Sequence, residues 1–180
     1  MDGGARLGGR IAIVGAGAVG LYYGARLAAH GEDVHFLLRS DFDAISKDGI
    51  RLESVHGDLH LDSVQAYRDP AEIGEVDWVI VAWKATANGR FEEVLRPLVG
   101  ERTQILTLQN GLGNDVLLGD LFGAGKILGG LCFVCLNRLS PGYVHHTAGG
   151  KITVGELVPV QDGERARRVV SAFKAAGIPS

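Results

Sequence analysis

A chain of 180 residues, 46% hydrophobic and 22% charged, holds enough apolar material for one packed domain and too much for disorder. Eighteen basic residues against twenty-one acidic ones leave a net charge of −3, which argues against a nucleic-acid or polybasic membrane binder. With only two cysteines, a disulfide framework is not expected.

In chain order, residues 1–10 are expected to form a flexible tail and 11–180 a single domain. Residues 11–14 form a short apolar strand, followed by Gly15-Ala16-Gly17-Ala18-Val19-Gly20 and a helix to His30. Gly20, Gly24 and Ala28 fall four apart and make a narrow helix face that can lie close to a sheet. The uncharged stretch 11–25 superficially resembles a secretory signal, but it carries four glycines in a phosphate-binding arrangement and Arg26 interrupts it. It is also too short to span a membrane. Residues 33–38 give the second strand, 42–46 a short helix, and 50–54 with 59–61 a hairpin turning at His56-Gly57-Asp58. Residues 76–83 are nearly all apolar, as expected of a parallel strand buried on both faces. A helix over 90–98, a strand over 104–108 and a helix over 115–121 follow, then strands over 127–136, 143–147 and 152–154.

The run 131–136 contains Cys132 and Cys135 and is expected to be a buried strand. Residues three apart in a strand point to opposite faces, so their C-x-x-C spacing does not suggest redox or metal chemistry. His145-His146 is expected to be a strand pair, since no third ligand lies nearby. Over 164–176, Ala166, Val169, Val170 and Phe173 follow the amphipathic helix template. Strands alternating with helices predict an α/β, Rossmann-like domain with a mostly parallel sheet and flanking helices.

A Gly-x-Gly-x-x-Gly run alone is weak, but here a strand precedes it, a helix follows, and a second strand comes about twenty residues on. The first glycine permits the tight turn, the second lets backbone approach a pyrophosphate, and the third packs the helix whose N-terminus faces the charge. The second strand ends in Leu38-Arg39-Ser40, with Arg39 nineteen residues beyond Gly20. A guanidinium suits a 2′-phosphate, and the Ser40 hydroxyl can assist, so NADP(H) is favoured over NAD. Asp41 and Asp43 lie past the strand. Lys84 ends the 76–83 strand, and Gln109-Asn110-Gly111 end the next. Ligands of open α/β sheets bind at such strand ends, so Lys84 and Asn110 are candidates to meet the nicotinamide or a substrate. A solvated lysine and a turn-forming Asn-Gly are the plain alternatives.

IAIVGAGAVGLYYGARLAAHGEDVHFLLR, VIVAWKA, LQNGLGN and PGYVHHTAGGKITVGE follow the order and spacing of ketopantoate reductases, which the chain resembles over about residues 10–178. The resemblance implies NADPH-dependent reduction of 2-dehydropantoate, a small 2-keto acid, to pantoate in pantothenate synthesis. It implies that Gly15, Ala16, Gly17, Ala18, Val19 and Gly20 bind the pyrophosphate and Arg39 the 2′-phosphate. Lys84 would line the nicotinamide site and Asn110 would contact cofactor and substrate. Trp83 departs from the family pattern. Family members continue into a helical carboxyl-terminal domain that supplies the general-acid lysine. That domain is absent from these residues, and the closing FKAAGIPS is expected to be a cut near a domain boundary, leaving the isolated chain inactive or weakly active. A cytoplasmic location is expected, and a homodimer stays open. Reduction of another 2-keto acid and a non-catalytic NADP(H)-binding module remain the alternatives.

Overall fold

A computed structural model describes residues 5–159 and 161–180. Nine strands form one sheet in the order β4-β3-β9-β8-β7-β6-β1-β2-β5. Its centre is parallel: β2 (Asp33–Leu37), β1 (Arg10–Val14), β6 (Val76–Val81), β7 (Val99–Thr107) and the start of β8 (Ile127–Ser140). β5 (Gln65–Tyr67) extends it beyond β2. On the other side β8 turns back into β9 (Tyr143–Glu156), and β3 (Ile50–Ser54) joins β9 in parallel while pairing antiparallel with β4 (Leu59–Leu61). The α/β, Rossmann-like expectation with a mostly parallel sheet is met.

Two apolar layers clothe the sheet. α1 (Ala18–Ala29) and α6 (Glu164–Ala175) pack Leu21, Tyr22, Tyr23, Val169 and Phe173 over Ile11, Ile13, Phe36 and Ile152. On the opposite face α4 (Phe91–Leu95) and α5 (Asn114–Phe122) bring Phe91, Val94 and Leu118 against Val14, Val79, Val81 and Ile105. α6 closes with Gly177 at a φ of +75°, where Gly177 N donates to Lys174 O and Ile178 N to Phe173 O. That double bond is a Schellman cap, and it turns Ile178 into the core.

Several expectations need correction. The tail is shorter than residues 1–10: Leu7 is fully buried, its amide and that of Gly8 are held by the Glu32 carboxylate, and Arg10 already belongs to β1. Residues 1–4 of that stretch lie outside the described residues. The helix expected over 90–98 is broken into a 3-10 stretch (Ala85–Arg90), α4, and a 3-10 turn at Arg96–Leu98 containing Pro97. Strands 143–147 and 152–154 are one strand, β9, with a register shift around Gly149 and Gly150, both at positive φ. The run 131–136 is a strand but not a buried one: Leu131 and Phe133 are 77% and 82% exposed. Only its alternate residues turn inward, because among the described residues α5 covers the other face of β8 near Ile127 and leaves Leu131 and Phe133 bare. Cys132 therefore faces Tyr23, and burial pushes its thiol up to about 11, whereas Cys135 faces solvent. β5 and the one-turn α3 (Pro70–Ile73), capped by Asp69, were not foreseen.

Candidate functional site

Leu37, Val14, Val81, Thr107 and Gly129 pair in register across five adjacent parallel strands and mark one carboxyl edge of the sheet. Every candidate lies just past that row. The chain leaves β1 to reach β2 on one side and β6 on the other, which makes the β1–β6 boundary the topological switch where such sheets hold ligands.

The glycines separate by role. Gly15 leaves β1 at a φ of +96°, and a Cβ there would stand 2.3 Å from the main-chain nitrogen of Trp83. A Cβ on Gly20 would stand 2.3 Å from the Gly15 carbonyl oxygen, and one on Gly24 would stand 2.7 Å from Phe36 Cε1. These two glycines let α1 lie on the sheet. Gly17 is different: a Cβ there meets nothing within 4 Å. The open space fronts the N-terminus of α1, whose first turn has no acidic residue and no side-chain cap. Its unspent amides and helix dipole favour an anion.

At the end of β2, Arg39 is exposed and has no carboxylate partner among the described residues. The acids beside it are committed. Asp41 is buried and paired with Arg138, and it accepts the Ser40 hydroxyl at 2.8 Å. Asp43 accepts from Arg68 Nη2 at 2.7 Å. Arg39 is thus the charge left for a ligand at this strand end, and Ser40 Oγ can rotate from Asp41 to meet the same ligand.

Beyond β6, Trp83 stacks on Phe91 with centroids 5.5 Å apart, and its buried Nε1 finds no acceptor among the described residues. Its backbone walls the Gly15 turn, a contact that sequence spacing gives no means to foresee. Lys84 is exposed and caps the 3-10 stretch. Asn110 is exposed at the next strand end and lines a groove of about 410 Å³ with Gln109, Leu131, Phe133, Lys151 and Thr153. Cross-strand pairing sets Phe133 opposite Lys151 and Leu131 opposite Thr153, so apolar and polar side chains share one hairpin face. Lys84 does not line this groove. Asn88 and Asn114, which sequence reasoning passed over, hydrogen-bond to one another between the two strand ends at 2.7 Å.

Known proteins share this fold. Residues 11–159 match the family model of ketopantoate reductase PanE/ApbA, and the chain belongs to that family. It is 41% identical over 173 residues to a 2-dehydropantoate 2-reductase of Nostoc sp., covering 94% of this chain and 54% of that one. The crystal structure of 2-dehydropantoate 2-reductase from Geobacter metallireducens is similar at 55% identity and a TM-score of 0.91, covering 94% of this chain and 56% of that one. The enzyme of the same name from Methylococcus capsulatus follows at 30% identity and 0.85, with 94% and 55% covered. The chain spans about half the length of the curated relatives it matches. Among the described residues no helix is long and apolar enough to cross a membrane.

Proposed function

We propose that this chain is the NADP(H)-binding half of a reductase that converts 2-dehydropantoate to pantoate. The observation that carries the cofactor choice is Arg39, without a carboxylate partner among the described residues at the end of β2, while Asp41 and Asp43 are both paired with arginines. A free acid at that place would favour the ribose 2′-hydroxyl of NAD; a free guanidinium favours a 2′-phosphate. In this reading the α1 N-terminus, open at Gly17, receives the pyrophosphate, and Arg39 with Ser40 receives the 2′-phosphate. A nicotinamide cofactor held there would supply the hydride that reduces the 2-keto carbon. Asn110 orients the carbonyl beside the nicotinamide, and Lys84 adds positive charge at the neighbouring strand end. Leu131 and Phe133 give the groove apolar walls that a bound substrate would cover, and Lys151 offers a cation to the substrate carboxylate. The alkoxide left by hydride transfer needs a proton, which is assigned to the other half of the family's enzymes. The relatives named 2-dehydropantoate 2-reductase support this substrate over other 2-keto acids.

Arg39→Gln in the full-length protein tests the cofactor claim. Charge-assisted hydrogen bonds are worth about 1.5–3 kcal/mol, so NADPH affinity should fall about tenfold to a hundredfold while NADH affinity stays within about twofold. Equal losses for both dinucleotides, or none, refute it. A panel of 2-keto acids at saturating NADPH checks the substrate, and preference for a different acid overturns that part alone.

A further inference from the structure

Two asparagines with no part in the reading above tie the Lys84 segment to the Asn110 loop. Asn88 lies in the 3-10 stretch that Lys84 caps, and Asn114 opens α5. A run of donors and acceptors passes through both. The Thr107 hydroxyl donates to Gln109 Oε1 at 3.1 Å, and Gln109 Nε2 donates to Asn88 Oδ1 at 2.7 Å. Asn88 Nδ2 donates to Asn114 Oδ1 at 2.7 Å. Asn114 Nδ2 then reaches the carbonyl oxygens of Asn110 at 3.1 Å and Gly111 at 3.2 Å. Each amide uses its oxygen as acceptor and its nitrogen as donor, so each fixes the orientation of the next, and the dipoles reinforce one another.

The chain starts at the sheet edge and ends on the backbone that carries Asn110. That loop holds no ladder bonds of its own, and Gly111 and Gly113 both stand at positive φ. The N-cap of α5 is Gly113, Asp115 Oδ1 takes the first-turn amide of Val116 at 2.9 Å, and Asn114 reaches backwards into the loop instead. Gln109 and Asn114 are both buried, so the chain is shielded from competing water.

We propose that Asn88, Gln109 and Asn114 are positioning residues that lock the Asn110 loop to the Lys84 segment and hold both at a fixed separation before cofactor or substrate arrives. The kinetic consequence rests on the reductase reading; the loop restraint does not.

Asn114→Asp and Asn88→Asp keep shape and acceptor but remove the donor, and the first sets a carboxylate against two carbonyl oxygens. In the full-length protein, misplacement of this kind should lower kcat/KM for 2-dehydropantoate at least about tenfold for Asn114→Asp and about threefold for Asn88→Asp, with NADPH affinity within about threefold. In an Asn110→Ala background the same substitutions should cost less than about twofold, because they act through Asn110. Losses that multiply independently of Asn110, or unchanged kcat/KM, overturn the proposal. Hydrogen exchange supplies a readout that needs no turnover: both variants should speed exchange at the bonded amides that bracket the loop, Leu108 on Val81 O and Leu117 on Gly113 O, and leave α1 unchanged. Unaltered protection at those two amides overturns the proposal even if the substrate is a different keto acid. If Asn114→Asp does not fold, Asn88→Asp, at a half-buried site, carries both measurements. Loss of 2-dehydropantoate turnover by the wild-type protein alone, with the exchange result intact, would sink the substrate reading and not the restraint.

Discussion

The two flanks of the sheet use similar apolar strings to opposite ends. In β6 the neighbours Val79, Ile80 and Val81 are all fully buried, because helices cross over both faces of the parallel strands. In β8 the comparable run Leu131-Cys132-Phe133-Val134 is half-buried only on alternate positions, because it lies beyond the stretch near Ile127 that α5 covers and β8 returns antiparallel. In the function proposed, the β1–β2 flank would hold its ligand mainly with backbone, a bare glycine and a helix N-terminus, plus one guanidinium. The hairpin flank offers side chains, apolar and polar, to whatever meets it. A nucleotide common to many reactions suits the first; a particular substrate suits the second.

The sharpest way to break this contrast is to truncate the two faces of the hairpin separately. Ile152→Ala removes a fully buried side chain from the α1 layer and should cost about 2–5 kcal/mol. Phe133→Ala, a larger truncation on the open face, should stay within about 0.5 kcal/mol. Urea unfolding with unchanged slope checks both. Comparable losses at the two positions would mean that the outer face is covered after all.

Next in size are the glycines of the β1–β2 flank. Gly20→Ala drives a Cβ into the Gly15 carbonyl, backbone against backbone, and should destabilise by about 1–3 kcal/mol. Gly17→Ala meets no neighbour and should leave the unfolding midpoint nearly unchanged while weakening NADPH binding about tenfold or more, since the added methyl occupies the pyrophosphate approach. If both variants lose stability alike, the assignment of one glycine to packing and the other to ligand fails.

These differences also explain what could be read from residue order. The Gly15–Gly20 turn, its flanking strands and the Arg39 position follow from local rules of spacing and backbone freedom, and they stand where expected. The strand ends near Lys84 and Asn110 were legible only to within a few residues: β6 stops at Val81 rather than residue 83, and β7 runs Val99–Thr107 rather than 104–108, so Lys84 and Asn110 follow in the loops beyond. The bareness of Leu131 and Phe133 was not, because burial depends on a helix elsewhere in the chain. β9 looked like two strands because Gly149 and Gly150 mimic a break, whereas their partner Phe133-Val134 absorbs them as a bulge. β5 is three residues on an edge, too short for any periodicity. The amide chain through Asn88 and Asn114 joins residues 26 apart, and nothing local announces it.

The smallest expected effect concerns the covered end of the hairpin, beneath α1. His146 is fully buried there, its Nε2 facing the Ala148 carbonyl at 3.0 Å and its Nδ1 facing Ser54 Oγ at 2.8 Å. The neutral ring with hydrogen on Nε2 satisfies both contacts, donating to Ala148 and accepting from Ser54. Ser54 Oγ also receives Arg26 Nη2 at 2.9 Å and the His56 amide at 3.0 Å, so positive charge already crowds the site. Burial lowers the His146 pKa; the Ala148 hydrogen bond opposes this, and His56 and Arg26 add to it. A depressed histidine binds protons more weakly in the folded than in the unfolded chain. Its contribution is therefore complete above the ordinary value of 6.5 and is lost as pH falls below it. His146→Gln cannot gain that charge. Between about pH 7.5 and pH 5.5 the wild-type protein should lose more stability than the variant, so the gap between their urea midpoints narrows on acidification. Parallel pH slopes would show instead that His146 is protonated as easily in the fold as out of it, and that the covered face tolerates a charge which its packing should reject.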